Sequence, residues 1–263
     1  MTCHSNFFVL GSSSAGNSYI FELSGTKVLI EAGFKASEIN RRAVLVGTDL
    51  IDLKAVLVTH EHIDHAIGIK GEDHYFSRRR IPIYASKGTL EACGDPITGV
   101  PLKAMTPSFI GTDILVLPFA VKHDAAEPLG FVINDFRGGK KILFINDCSA
   151  IRADLSSIPF DIIFIECNYF DQALHIEMHK AEEEGKMMLV KRYMRIHDCH
   201  LGLSGTRKIL NTLDLSKCKA VFLMHLSDQN SRENEMLNTI RLDHPGLQVY
   251  ACRKEGGIET CRG

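Results

Sequence analysis

"VLVTHEHIDHAIG", residues 56–68, puts four metal-ligating side chains into six consecutive positions: His60, His62, Asp64 and His65. The run before them, Val56-Leu57-Val58-Thr59, is apolar or β-branched and predicts a buried strand that ends at Thr59. In extended chain, side chains two residues apart point the same way, so one cation can take both His60 and His62. Asp64 and His65 follow as the chain turns into a helix, and their displacement suits a second, adjacent cation. The alternative is a polar loop with histidines buried in the core. It needs four ligand types to meet there by accident.

Working outward, the chain has 263 residues, of which 45% are hydrophobic, enough for a full core. No apolar run approaches the eighteen or so residues that cross a bilayer, so no membrane partner is expected. The opening residues, Met1-Thr2-Cys3-His4-Ser5-Asn6, lack the basic region of a signal peptide, and a cytoplasmic location is expected. Eight cysteines (3, 93, 148, 167, 199, 218, 252, 261) show no Cys-x-x-Cys spacing. They read as reduced thiols, not as a disulfide framework or zinc ribbon. A net charge of −2 announces no general affinity for nucleic acid, so any such contact must be local.

Short Val-, Ile- and Phe-rich runs predict strands at 27–30, 55–59, 81–84, 114–117, 131–134, 141–145, 161–165, 220–224 and 247–251. Gly138-Gly139 predicts a hairpin turn. Helices are predicted at 38–46 (capped by Ser37, closed by Gly47), 205–213 (opened by Ser204) and 232–242 (opened by Ser231). The longest candidate, 172–196, is interrupted near Gly185. Hairpins together with strand–helix alternation imply mixed sheets covered by helices in one four-layer domain spanning 1–263.

"GSSSAGNS", residues 11–18, is one residue away from the Gly-x-x-x-x-Gly-Lys-Ser loop that cradles nucleotide phosphates. Such a loop must open a helix, whose amides and dipole face the phosphate. Here Tyr19-Ile20-Phe21-Glu22-Leu23 predicts a strand instead, and Asn17 stands where the lysine would be. This is no nucleotide loop.

The His60-x-His62-x-Asp64-His65 run resembles the hallmark of the metallo-β-lactamase-fold superfamily. Its remaining hallmarks match in order: His123 in "VKHDAAEP", Asp147 in "LFINDCS" and His225 in "VFLMHLSD". The resemblance covers residues 9 to about 251. It implies an α/β (α+β) protein, a four-layer αββα sandwich with two mixed β-sheets and two divalent metal ions at one sheet edge. By the resemblance, His60, His62 and His123 hold the first ion and Asp64, His65 and His225 the second, with Asp147 bridging. Zinc is the first expectation, manganese or iron the alternatives. A hydroxide shared by ions about 3.5 Å apart is then a ready nucleophile. Glu31 in "VLIEAG" departs from the family's usual aspartate; it and Asp124 are expected to touch ligands, not ions.

"LGSSSAGNSYIFE", "HDAAEPLGFVI", "IECNY", "CHLGLS" and "MHLSDQNS" are similar to the YycJ (WalJ) branch, which implies a DNA exonuclease acting from a 5′ end. The later motifs are also similar to ribonuclease Z, in which a glutamate orients a histidine that helps the leaving group depart. Glu166 and His200 occupy the matching places, which with Asp64 complete the catalytic candidates. A carboxylate partner favours the protonated donor form of His200; the plain alternative is an ordinary buried hydrogen bond. Near the site, Ser12, Ser13, Ser14, Asn17 and Ser227 are candidate substrate contacts, unless the first four merely form a hairpin turn.

Other polar features read as unremarkable surface or core. His175 and His179, spaced i, i+4, are expected on a solvated helix face. Arg78-Arg79-Arg80 and the set Lys191, Arg192 and Arg195 could track a nucleic-acid backbone, but a charge run is more often solvent-exposed and the net charge gives no support. His4, His74, His197 and His244 have no motif context, and Cys148 and Cys167 read as small buried residues. A thioester, lactone or cyclic-phosphodiester hydrolase of the same fold is the competing activity. A non-hydrolytic metal-binding or redox protein is a weaker one, because no flavin module accompanies the motifs. Nothing in the sequence assigns an oligomeric state.

Overall fold

The computed structural model describes residues 5–70 and 74–259, and of 257–259 the backbone only. Cys3, His4 and Cys261 therefore lie outside the described residues. The chain opens with an antiparallel meander, β1 (Asn6–Ser13), β2 (Gly16–Leu23) and β3 (Thr26–Ile30). Then come α1 (Ala36–Leu45), β4 (Leu53–Leu57), α2 (Ile63–Ala66), α3 (Tyr75–Arg78), β5 (Ile83–Ser86), α4 (Lys87–Ala92) and β6 (Gly99–Leu102). A second meander follows: β7 (Ser108–Ile110), β8 (Ile114–Lys122), β9 (Leu129–Asp135) and β10 (Lys140–Ile145). After it come β11 (Ala150–Ile151), β12 (Ile162–Glu166), α5 (Asp171–Glu183), α6 (Met187–Cys199) and α7 (Leu203–Leu210). The chain closes with β13 (Ala220–Met224), α8 (Glu233–Asp243), β14 (Gln248–Ala251) and β15 (Gly257–Glu259).

One sheet runs β15-β1-β2-β3-β4-β5-β6, the other β11-β8-β9-β10-β12-β13-β14 with β7 on β8. Each is antiparallel in its meander and parallel in its β/α part, so both are mixed, as expected. Alternation of side chains creates the layers. Phe7 and Val9 point between the sheets with Phe21, Phe144, Phe164 and Phe222, whereas Phe8 and Leu10 point to the layer of α1. On β12, Ile162 and Phe164 face the central core while Ile163 and Ile165 face the layer that holds α7 and α8. The order is helices, sheet, sheet, helices: the αββα sandwich. Phe164 stacks on Phe222 at 4.4 Å between ring centres, and Phe7 meets Phe21 edge-on at 4.8 Å. Pairs of this kind add about 0.5–1.5 kcal/mol beyond their burial.

All nine predicted strands are present, and the long helical candidate divides into α5 and α6 at Gly185, whose φ of 67° suits glycine. The serine caps are corrected. α1, α7 and α8 begin after Lys35, Gly202 and Arg232, and none has a side-chain cap. Tertiary partners take two of those hydroxyls: Ser204 Oγ donates to Asp171, and Ser231 Oγ to the Ser227 carbonyl. Strands β6 and β7 and helix α4 had no clear periodicity in the sequence. Among the described residues no helix is long and apolar enough to cross a membrane.

The parallel strands all finish at one edge. Glu31 follows β3, His60 follows β4, Asp147 follows β10, Glu166 ends β12 and His225 follows β13. Carboxyl ends of parallel strands are where α/β proteins gather their ligands.

Candidate metal centre and catalytic cleft

His60 leaves β4 with its Nδ1 paired to Thr59 Oγ1 at 2.9 Å, which aims Nε2 inward. His123, just past β8, has Nδ1 2.9 Å from the Cys199 carbonyl, leaving its Nε2 3.2 Å from His62 Nδ1. Donor atoms of His60, His62 and His123 lie within 4.8 Å of one another. The β4 ending thus meets a residue some sixty positions further along the chain.

A second group adjoins the first. Asp147 Oδ2 lies 3.2 Å from His65 Nε2, 3.8 Å from His123 Nε2 and 3.9 Å from His60 Nε2. Its Oδ1 lies 2.5 Å from His225 Nδ1. Asp64 Oδ2 is 3.5 Å from His65 Nε2 and 3.7 Å from His225 Nε2. Asp147 therefore stands between the two groups. Glu31 lies behind His65, with Oε1 3.6 Å from Nδ1 and Oε2 accepting the Thr59 amide at 3.3 Å.

The donor chemistry fits divalent cations. His60 Nε2 and His225 Nε2 are buried without hydrogen bonds. Polar atoms so buried are costly unless a partner compensates them, and convergent imidazoles and carboxylates are what a divalent ion supplies with one. The backbone shares the strain. Glu31, Asp147 and His225 have φ of 61°, 44° and 55°, left-handed conformations that cost non-glycine residues on the order of 1–3 kcal/mol each.

Electrostatics follow from burial and neighbours. Burial, then the charge of His65, push the His60 pKa well below the usual range. For His65 and His225 burial works against charge, but carboxylates outweigh it. Asp147, Asp64 and Glu31 raise His65 well above normal, and Asp147 with Glu166 raises His225 to about 10. Asp147 stays ionised despite its burial because His225, His65 and His200 surround it.

Glu166 and His200 come together as a pair: Oε1 to Nδ1 is 2.6 Å. Glu166 Oε2 accepts the amides of Cys148 at 2.9 Å and Leu201 at 3.1 Å, so the carboxylate cannot swing away. Burial opposes a charge on His200, but Glu166 and Asp147 overcome it and raise its pKa. His200 opens on a cleft of about 260 Å³ lined also by Ser14, Asn168, Arg192, Arg195 and Ser227. Arg195 Nε donates to Asp124 Oδ2 at 2.8 Å, and Asp124 Oδ1 lies 3.3 Å from His123 Nε2.

The hairpin at 11–18 divides its polar side chains between the interior and the cleft. Ser12, Ser13 and Asn17 are buried, whereas Ser14 is exposed and lines the cleft. The buried polar groups face the donor set. Ser12 Oγ accepts the His225 amide at 2.8 Å and the Tyr19 hydroxyl at 2.7 Å. Asn17 Nδ2 lies 3.0 Å from the Ser13 carbonyl, 3.4 Å from that of Asp64 and 3.2 Å from His65 Nε2. Gly33 must be glycine, since a Cβ there would stand 1.9 Å from the Asp64 carbonyl oxygen.

His175 and His179 are exposed on α5, as expected. Cys148 and Cys167 are buried, and burial pushes both thiols up, Cys167 to about 12. Cys93, Cys148, Cys167 and Cys199 are free thiols. Arg192 and Arg195 are exposed, as expected, and the structure adds that both line the cleft; their i, i+3 spacing on the helix that runs into His200 is the signal for this in the sequence. Asn168, whose Nδ2 donates to the His225 carbonyl at 2.8 Å, carried none.

Comparison with known proteins agrees with this architecture. The chain is 25% identical over 236 residues to exodeoxyribonuclease YycJ of Bacillus anthracis, covering 87% of this chain and 85% of that one. A 50-residue stretch, 19% of this chain and 17% of the other, is 44% identical to ribonuclease Z of Methanopyrus kandleri. The crystal structure of the metallo-beta-lactamase fold protein YhfI from Bacillus subtilis superposes with a TM-score of 0.68 at 14% identity, covering 97% and 99% of the two chains. The family described as the Beta-lactamase superfamily domain matches residues 26–226. The protein belongs to that superfamily, and within it is a metal-dependent hydrolase.

Proposed function

We propose that the protein is a two-metal phosphodiesterase that removes nucleotides from the 5′ end of DNA. The observation that carries this reading is the Glu166–His200 pair, 2.6 Å apart, whose His200 lines the same cleft as His62, Asp64, Asp147 and His225. His60, His62 and His123 would hold one ion and Asp64, His65 and His225 the other, with Asp147 shared; zinc is proposed, manganese or iron being the alternatives. When bound, the ions supply Lewis acidity and a water acidic enough to attack at neutral pH.

The chain's own residues do the rest. With Nδ1 engaged by Glu166, His200 keeps Nε2 for the cleft, where it gives its proton to the departing ribose oxygen. Glu166 keeps that imidazole charged and fixes its orientation through the Cys148 and Leu201 amides. Asp64 helps hold His65 and His225 in place. The 25% identity to an exodeoxyribonuclease over most of both chains supports DNA as the substrate. Free thiols at Cys93, Cys148, Cys167 and Cys199 support a reducing compartment, the cytoplasm.

The deciding experiment offers metal-loaded protein four substrates: 5′-phosphorylated duplex DNA, the matching RNA, a thioester and a lactone. Mononucleotides released from the DNA at the highest kcat/KM are the expected result. Faster turnover of the thioester or lactone overturns the proposal.

A further inference from the structure

We propose that the α5–α6 arm carries a second anion site, in which Arg192 binds a phosphate group of the nucleic acid one nucleotide away from the bond being cleaved. This rests on the phosphodiesterase reading above. Helix α6 ends at Cys199 and delivers the chain directly to His200. Arg192 stands about 12 Å of helix before His200, yet it lines the same cleft. The arm packs on a small cluster of its own, Tyr169, Leu174, Ala181, Val190 and Tyr193. That leaves the opposite side of α6, with exposed Met188, Arg192 and Arg195, turned away from the cluster.

Charge singles out Arg192. The guanidinium of Arg195 is already matched by Asp124 at 2.8 Å, and Lys186 by Glu184 at 2.6 Å. Among the described residues Arg192 has no carboxylate partner. The protein as a whole is slightly acidic, so an uncompensated guanidinium beside a cleft for an anionic polymer is a local exception. Guanidinium groups match phosphate oxygens in bidentate fashion. Because α6 reaches the cleft from the His200 side, the phosphate it meets is on the leaving-group side of the scissile bond. A terminal 5′-phosphate and an internal phosphodiester both present that chemistry.

The test compares wild type, Arg192→Ala and Arg192→Lys in two ways. First, metal-free protein is titrated by fluorescence anisotropy onto labelled 5′-phosphorylated and 5′-hydroxyl duplexes at several salt concentrations. Arg192→Ala should weaken binding about ten-fold and lower the salt slope by about one, with Arg192→Lys in between. An effect confined to the phosphorylated duplex assigns the terminal phosphate; an equal effect on both assigns a phosphodiester. Second, with metal supplied, KM for DNA should rise in Arg192→Ala while hydrolysis of bis(p-nitrophenyl) phosphate, which has no neighbouring phosphate, stays within about two-fold. Unchanged DNA binding, or equal losses on both substrates, overturns the anion site. If Arg192 governs DNA binding but the wild type does not cut DNA, the activity reading falls and the phosphate site stands.

Discussion

Glu166 grips His200 from one side only: Oε1 meets Nδ1 at 2.6 Å, while Oε2 is consumed by the backbone amides of Cys148 and Leu201. One carboxylate thus fixes the ends of β10, β12 and α6 relative to one another. The other imidazole nitrogen is left for the cleft.

His200→Ala should slow cleavage of an ordinary phosphodiester by about a hundred- to ten-thousand-fold while metal content is unchanged. A nitrophenyl diester, whose leaving group needs no proton, should lose far less. Equal losses on both, or a missing metal ion, would remove His200 from the acid role. Glu166→Gln should show the same pattern more mildly, with a lower Tm, because one amide oxygen must replace a carboxylate that accepts from three donors.

His62→Ala should lose metal and activity but keep its fold. His62 is half-buried at the mouth of the site, and the apolar core between the sheets does not depend on it. Elemental analysis with circular dichroism checks this; an unfolded variant would make the metal site structural.

Ser12→Ala should loosen the His225 side of the centre without touching the cleft. The substitution removes the acceptor of a buried amide and of the Tyr19 hydroxyl, at a cost of about 1–3 kcal/mol. Tm should fall, and metal stoichiometry should drop before DNA binding does. Unaltered metal content would show that the His225 backbone needs no such support.

Metal uptake near pH 7 should release protons, because neighbouring carboxylates keep His225 charged up to about pH 10 and hold His65 charged as well. The ions take neutral imidazole, so affinity should rise with pH through neutrality. Calorimetry in buffers of different ionisation enthalpy measures the release. Binding enthalpies independent of buffer would mean that these histidines are already neutral before the metal arrives.

The amino-acid sequence alone determined most of the strands, the break at Gly185 and the cluster His60, His62, Asp64 and His65, because each depends on residues only a few positions apart. It also carried the matching motifs at His123, Asp147 and His225, through resemblance. Tertiary structure decided what local spacing cannot express. Ser12 and His225 lie 213 positions apart and meet because β1 and β13 end at the same edge of two facing sheets. Burial then set the direction of each polar group. The serines and asparagine of 11–18 look like a phosphate-binding loop in one dimension, but the packed hairpin turns Ser12 and Asn17 toward the metal ligands and leaves Ser14 alone at the cleft. Arg192 followed the reverse course, an ordinary surface charge in the sequence until α6 was folded against His200. A side chain's neighbours across the sheets, not along the chain, fix which of its atoms remain free for chemistry.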